Sequence, residues 1–449
     1  EFPGPKDFAA QLAWDWQHPT YAIVTSALLD SERNVYVSAM DGIRKFTPDG
    51  VLTWHWQPDF GQSTAVGEMP PLTISSPVLV GDSLFTSTVN GWLARVSMDR
   101  GRTVWSARFA RGAEMDTPYV EADSGVVMQV FEKMKDRYTD ASGNRLVVAA
   151  NATDGSKLWE YNSDTVLWNF QPQFPGDGTF LVMDIHGGVR RLATLTGEAL
   201  AYVPPTDPWM QHTFTDGGLI LDPGAKIAYT CSNLGYGTTD SAGILRAYEV
   251  SDLQLLWQQV LPQPCVSWPA SNGRTVVVPI GALPDVVPYY LRERWLPDPF
   301  KTMALHVSAW LGDAQNLIWR IKPRPMLVMA FDAQTGSPQW KFDRIKPWPR
   351  DSSMGDAENI IPRGAHFPAR PVCGPASWSS PTFDRDGTVY AGGMNGILYA
   401  IRDANSDGVI DDAEVSTLDI GAASLHQGAS FAPGMMTYAS CAGVYVFKT

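Results

Sequence analysis

Apolar residues along this chain fall in short runs broken by glycine, proline, asparagine and aspartate, and the breaks recur in a fixed order. A Gly-x-x-x-Trp unit stands at Gly50/Trp54, Gly101/Trp105, Gly155/Trp159 and Gly336/Trp340, with degenerate copies at Gly197/Ala201 and Leu253/Trp257. Its fullest version runs Ala330-Phe331-Asp332-Ala333-Gln334-Thr335-Gly336-Ser337-Pro338-Gln339-Trp340. Two further strands joined by a tight turn precede each unit, most clearly at Asn90-Gly91-Trp92-Leu93-Ala94 and Asn395-Gly396-Ile397-Leu398-Tyr399-Ala400. Asn-Gly supplies the positive φ angles that a two-residue hairpin needs. Before each pair an inner strand opens on a residue followed by proline, at Ser76, Thr117, Gln171, Trp268 and Ser380, with aligned openings near Ser26, Gly218 and Gly428. The openings recur at roughly 40- to 55-residue spacing except for one gap about twice as long, which is the signature of a repeat architecture.

Eight units of four short antiparallel strands cannot lie in one flat sheet without exposing long edges, and radial closure removes them. The pattern therefore predicts an all-β, eight-bladed β-propeller occupying residues 1–449 as a single domain. The last unit, from Ser430 to Thr449, supplies only three strands and ends in Val444-Tyr445-Val446-Phe447. Leu12-Ala13-Trp14-Asp15-Trp16 is a spare strand with tryptophan where an outer strand would carry it. It is expected to complete blade eight and close the ring.

Composition agrees with many hairpins and a large core: 17 Trp, 39 Gly and 34 Pro among 449 residues, with 44% hydrophobic. A net charge of −13 without a basic tract argues against nucleic acid as partner. No apolar span is long enough for a transmembrane helix; the longest candidate, from Thr275 to Leu291, contains Asp285 and three prolines. The chain opens on Glu1-Phe2 without a signal peptide, as expected of a mature or trimmed chain.

The tryptophan repeat resembles the tryptophan-docking motif of quinoprotein alcohol dehydrogenases and their non-catalytic relatives, the PQQ-like repeat proteins. In that family the tryptophan packs between adjacent blades, so the resemblance implies a fold and not an activity. A quinoprotein dehydrogenase would need a pocket for PQQ, a calcium ion at the cofactor and an aspartate base. The adjacent-cysteine pair of many such enzymes is missing, as is Cys-x-x-Cys-His for attached haem. PQQ is thus not favoured as a cofactor, and no catalytic residue is assigned.

The long gap belongs to blade six and holds two insertions. The first, about 282–325, contains Asp298-Pro299-Phe300, an N-cap and first-turn proline, and then apolar residues at helical spacing. The second, about 344–378, is proline-rich. Both leave the blade on the face bearing the entrance to the central channel, here the funnel face, where they could form a lid. The five aligned openings Ser76, Thr117, Gln171, Trp268 and Ser380 are expected to line its mouth as a ligand-binding set. His18, His212, His366 and His426 lie in segments leading toward the same face, without a metal-ligand spacing.

Residues 403–414 match the EF-hand loop pattern D-x-[DN]-x-[DN]-G-x5-E at every specified position. Asp403, Asn405, Asp407, Asp411 and Glu414 offer oxygen donors and Val409 a carbonyl, the hard donor set that calcium prefers. The loop sits between the third and fourth strands of blade seven, on the face opposite the insertions, which marks a structural ion. An even number of cysteines permits two disulfides; topology brings Cys231 and Cys265 together, leaving Cys373 and Cys441, and Asn151 begins a glycosylation triplet.

These readings converge on a secreted, extracellular or periplasmic propeller, stabilised by calcium, that binds a protein, glycan or small molecule at its funnel face as a binding or scaffold protein. The alternative is an enzyme using the funnel, either a PQQ-dependent oxidoreductase or a lyase or hydrolase on a saccharide or small metabolite.

Overall fold

In the computed structural model, strands alternate with tight turns through the whole of the described chain. The structure describes residues 2–449 except 22, 24, 62–70, 74–75, 111–118, 122–123, 133–143, 168–169, 206–214, 216, 235–241, 282–325, 346–377, 394, 423 and 425–427. Eight separate antiparallel sheets form the blades of a propeller, seven of them four-stranded. Blades one to seven occupy 28–56, 78–108, 119–162, 179–203, 219–261, 270–342 and 382–419. Blade four has three strands among the described residues, with a single bridge from Gln173 to Leu181 where the inner strand would run.

Blade eight combines both ends of the chain. Leu12–Gln17 pairs antiparallel with Gly443–Lys448, placing Trp14 opposite Val446 and Trp16 opposite Val444. Just before it, Asp7 caps a short helix, Phe8–Gln11, and Phe8 is buried against Tyr390 and Phe447.

Burial follows strand position. The second strands, such as Val35–Ala39 and Ser83–Thr88, are buried at every residue because both of their faces meet neighbouring sheets. The outermost strands alternate, as in Leu12–Gln17. The core is consequently a set of wedges between blades; one joins Tyr229, Leu245 and Ala247 of blade five to Val276, Val278 and Phe331 of blade six.

A ladder of tryptophans fastens successive blades. Trp14, Trp54, Trp105, Trp159 and Trp257 each lie on the glycine of the next blade's repeat: Gly50, Gly101, Gly155, Gly197 and Gly336. A Cβ on these glycines would come within 2.5–2.9 Å of the indole, and all five have φ between +59° and +83°. Only glycine meets both demands. The same indole N–H groups donate to carbonyls of the next blade, at Pro48, Met98, Ala152, Thr194 and Ala333.

The junction of blades four and five is built differently. Ala201 stands where the tryptophan would be, and Leu253 stands where the glycine would be, keeping the positive φ (+59°) with its side chain buried. Leu253 packs with Val203 and Leu221, and Arg191 donates to the Val250 carbonyl at 2.9 Å, the position an indole reaches elsewhere.

Candidate functional site

Chain direction within each blade places the turns between second and third strands, and the links between blades, on the funnel face. Two of these turns carry carboxylates held in hydrogen-bonded clusters, Asp41 half-buried and Asp184 buried. In blade one the hairpin after Val35–Ala39 presents Asp41, whose carboxylate takes a bidentate ion pair from Arg44 at 2.8 and 2.6 Å. His18, in the link following the N-terminal strand, lies 3.2 Å away with its side chain 2% exposed. Its Nδ1 accepts the backbone N–H groups of Thr20 and Tyr21, so Nε2 carries the proton and donates it to Asp41. His55 Nε2 faces the Asp41 carbonyl oxygen at 3.0 Å. Burial works against ionisation of Asp41, but hydrogen bonds from Arg44 and His18 outweigh it and hold the carboxyl well below the usual range. Burial and the Arg44 charge lower the pKa of His55.

Blade four repeats the idea. Asp184 is fully buried and accepts from the backbone of His186 and Gly188, from Thr165 at 3.1 Å and from Tyr202 at 3.2 Å. Arg190 stacks over the Tyr202 ring at 4.1 Å and donates to Asp164 at 2.6 Å. Burial and the Asp184 charge push the Tyr202 hydroxyl up to about 12. Neither cluster was singled out by sequence reasoning. The available signal was an arginine two residues after the turn glycine, in Gly42-Ile43-Arg44 and Gly188-Val189-Arg190, each with an aspartate just ahead.

Of the expected mouth residues, Ser76 and Trp268 are buried and Gln171 and Ser380 half-buried, while Thr117 lies outside the described residues. Trp268 lies over Gly218, and a Cβ there would come within 1.8 Å of the indole. Ser380 is 2.9 Å from Ser267 of the preceding blade. The histidines do not gather as a group that can be described: His18 belongs to the Asp41 cluster, whereas His212, His366 and His426 lie outside the described residues. So do both insertions, 282–325 entirely and 344–378 for all but a few terminal residues.

Cys231 and Cys265 form a disulfide with Cα atoms 5.6 Å apart. Cys231 stands in the middle of the strand Ile227–Leu234, and the bond ties blade five to the link leading into blade six. Cys441 is also disulfide-bonded, and Cys373 lies outside the described residues. Asn151, at the end of a blade-three strand, accepts the Thr153 N–H through its side chain.

On the opposite face, residues 403–414 form a turn ended by a short 3-10 helix, Asp412–Glu414. Asp403 accepts the Gly408 N–H with one oxygen, and its other oxygen is buried without a hydrogen-bond partner. Glu414 accepts the N–H groups of Ala404 and Asp411, which hold it below the usual carboxylate range. Among the described residues no three His, Cys, Asp or Glu side chains gather closely enough to hold a metal ion. The donor types and the turn at Gly408 (φ +79°) fit calcium, and Asp403 has an oxygen to spare for it; Asp407, Asp411 and Glu414 would have to turn inward. Ile410 is buried beside Trp340 and Phe342, and Arg344 reaches Asp412 and the Ile410 carbonyl, so the loop braces blade seven against blade six.

Residues 39–203 match a family model described as outer membrane protein assembly factor BamB. This stretch thus matches a PQQ-like repeat family, and the chain as a whole has the fold of an eight-bladed propeller. The matched stretch holds four of the five ladder glycines. Among solved structures, BamB from Moraxella catarrhalis is similar to this propeller at a TM-score of 0.60 and 11% identity, covering 97% of this chain and 100% of that one. Quinohemoprotein alcohol dehydrogenase from Comamonas testosteroni gives 0.62 and 13%, covering 97% of this chain and 76% of that one. The computationally designed Ika8 protein gives 0.58 and 12%, covering 98% and 100%. No curated protein matches in sequence. Likeness at such identities speaks for the PQQ-like fold alone.

Proposed function

We propose that this PQQ-like propeller is a binding or scaffold protein that engages a protein partner through its funnel face. The observation that carries this reading is the state of the carboxylates there: Asp41 is closed by Arg44 and His18, and Asp184 by turn amides, Thr165 and Tyr202. Groups so committed stiffen a surface rather than exchange protons with a substrate. The description of the matching family as an assembly factor supports the same reading. An extracytoplasmic setting is favoured by the buried Cys231–Cys265 disulfide, since such bonds persist in oxidising compartments. Among the described residues no helix is long and apolar enough to cross a membrane. Calcium in the 403–414 loop would be held by Asp403, Asn405, Asp407, Asp411, Glu414 and the Val409 carbonyl, and would supply rigidity between blades six and seven.

The test uses a photo-crosslinking amino acid in cells of the source organism. Placed at the exposed funnel-face residues Asp59 and Asp164, it should yield discrete protein adducts; at Thr196 and Thr335, on turns of the other face, it should not. Adducts confined to Thr196 and Thr335 would place the partner on the wrong face for this reading. Dye reduction after reconstitution with PQQ and calcium would favour the enzyme alternative.

A further inference from the structure

The junction of blades seven and eight is built without the ladder. The outer strand of blade seven, Val415–Asp419, has no tryptophan, and Leu12–Gln17 supplies the outer strand of blade eight. In other blades the ladder tryptophan packs on an aromatic residue of its own second strand: Trp54 on Tyr36 at 5.9 Å, Trp105 on Phe85 at 6.1 Å and Trp257 on Tyr229 at 5.9 Å. In blade seven that aromatic residue is Tyr390, and Phe8 lies on it from outside the blade at 6.0 Å. Phe8 also meets Phe447 of blade eight at 5.3 Å, so it spans this junction as an indole spans others.

The residues ahead of Phe8 are held as a peptide ligand is held. The Phe2 carbonyl accepts the Arg385 N–H at 2.9 Å, the Gly4 N–H donates to buried Asp384 at 2.9 Å, and the Pro5 carbonyl accepts the Tyr390 hydroxyl at 3.0 Å. Gly4 stands between two prolines, so its N–H is the single amide donor between Phe2 and Lys6, and it goes to Asp384. A Cβ at Gly4 would lie 2.2 Å from the Tyr390 hydroxyl oxygen and 2.4 Å from Cζ. Space, rather than backbone conformation, demands glycine here. Phe2 and Gly4 each precede a proline and are biased towards extended backbone, which lowers the entropy lost on docking.

Blade one has the same pair of side chains closed on itself. Tyr36 donates to Asp30, six residues earlier, at 2.9 Å. In blade seven the equivalent pair, Asp384 and Tyr390, stands 3.4 Å apart and is bridged by the Gly4–Pro5 unit, whose N–H meets the carboxylate and whose carbonyl meets the phenol. The turn amides of Asp386 and Thr388 fix the other Asp384 oxygen. Burial, with the Asp384 charge beside it, pushes the Tyr390 hydroxyl above its ordinary range, so it stays a donor.

We propose that blade seven carries a peptide-binding groove selective for glycine followed by proline, formed by Asp384, Arg385 and Tyr390, and that residues 2–8 are its resident ligand, closing the junction of blades seven and eight in place of the ladder pair. The groove lies at the turn between the first and second strands of its blade, on the face opposite the funnel.

Hydrogen exchange of the full chain tests the docking. Gly4→Ala should lower protection of residues 2–8 at least about tenfold. Protection of Leu12–Gln17, which keeps its own pairing with Gly443–Lys448, and of Ile227–Leu234 in blade five should hold. Tyr390→Phe keeps the ring and removes only the donor to Pro5, so it should give a smaller loss in the same residues. Unchanged protection of residues 2–8 in Gly4→Ala would overturn the proposal, as would a loss spread evenly over the blades in both variants.

Selectivity is read in trans on the Gly4→Ala chain, whose own segment has left the groove. A capped peptide of residues 2–6 with benzoylphenylalanine for Phe2, at about 1 mM, should on irradiation label the turn at 384–388. The Gly4→Ala form of that peptide should label it at least about tenfold less. The wild-type chain, its groove filled by the tethered segment, should take less label than the variant. Equal labelling by the two peptides, or none at that turn, would refute a groove that selects glycine.

Discussion

At the scale of single residues, the ladder glycines answer two constraints that substitution can separate. Gly197 has φ +69° and a Cβ there would meet the Trp159 ring at 2.5 Å. Gly176 has φ +88° but nothing within 4 Å. Gly176→Ala therefore reports backbone strain alone, expected at about 1 kcal/mol, and Gly197→Ala should cost about 1–3 kcal/mol more, because the indole must move off its carbonyl partner. Denaturant midpoints measure both, and equal losses would mean that the ladder contact contributes nothing beyond the turn. The glycine and the tryptophan of each repeat were both legible in the sequence. That each glycine serves the tryptophan of the preceding blade was not, since this contact joins residues far apart in the chain, from Trp14 with Gly50 to Trp257 with Gly336, and follows only from the order in which blades pack.

At the scale of elements, three of the eight junctions lack the tryptophan–glycine pair, and two of them show what replaces it within the blades themselves. Between blades four and five the sequence reads as a decayed motif, Gly197/Ala201 followed by Leu253/Trp257, yet the two changes compensate: Leu253 fills the space an indole would take. Ala201→Trp alone should collide with Leu253, and Leu253→Gly alone should leave a cavity costing about 2–5 kcal/mol. The double change should cost at least about 1 kcal/mol less than the sum of the singles, and strict additivity would refute the pairing. Between blades six and seven the 403–414 loop takes the place of a glycine turn, with Ile410 beside Trp340. Its donor pattern was plain in the sequence because the spacing is local. If calcium fills it, a hundredfold excess over Kd should stabilise the chain by about 2.7 kcal/mol. Chelation should then lower the melting temperature, and Glu414→Gln should remove most of that response. An unchanged melting curve on adding calcium to chelator-stripped protein would speak against the ion.

At the scale of the whole molecule, eight blades and their faces could be read from turn spacing alone, because each blade is a local unit. The polar clusters of the funnel face could not: Asp41 meets His18 and Asp184 meets Thr165 only once neighbouring blades are side by side. The mixed sheet of blade eight has a further consequence, in time rather than in space. Leu12–Gln17 is synthesised before blades one to seven, and its partner Gly443–Lys448 after them. Until that partner emerges, an apolar strand with Trp14 and Trp16 waits with an unpaired edge, exposed to other chains. Blades one to seven can assemble in order behind it, each on the one before. The ring can be completed only once Gly443–Lys448 has been made, so any chaperone guarding this propeller has one strand to protect longest, the one that precedes blade one.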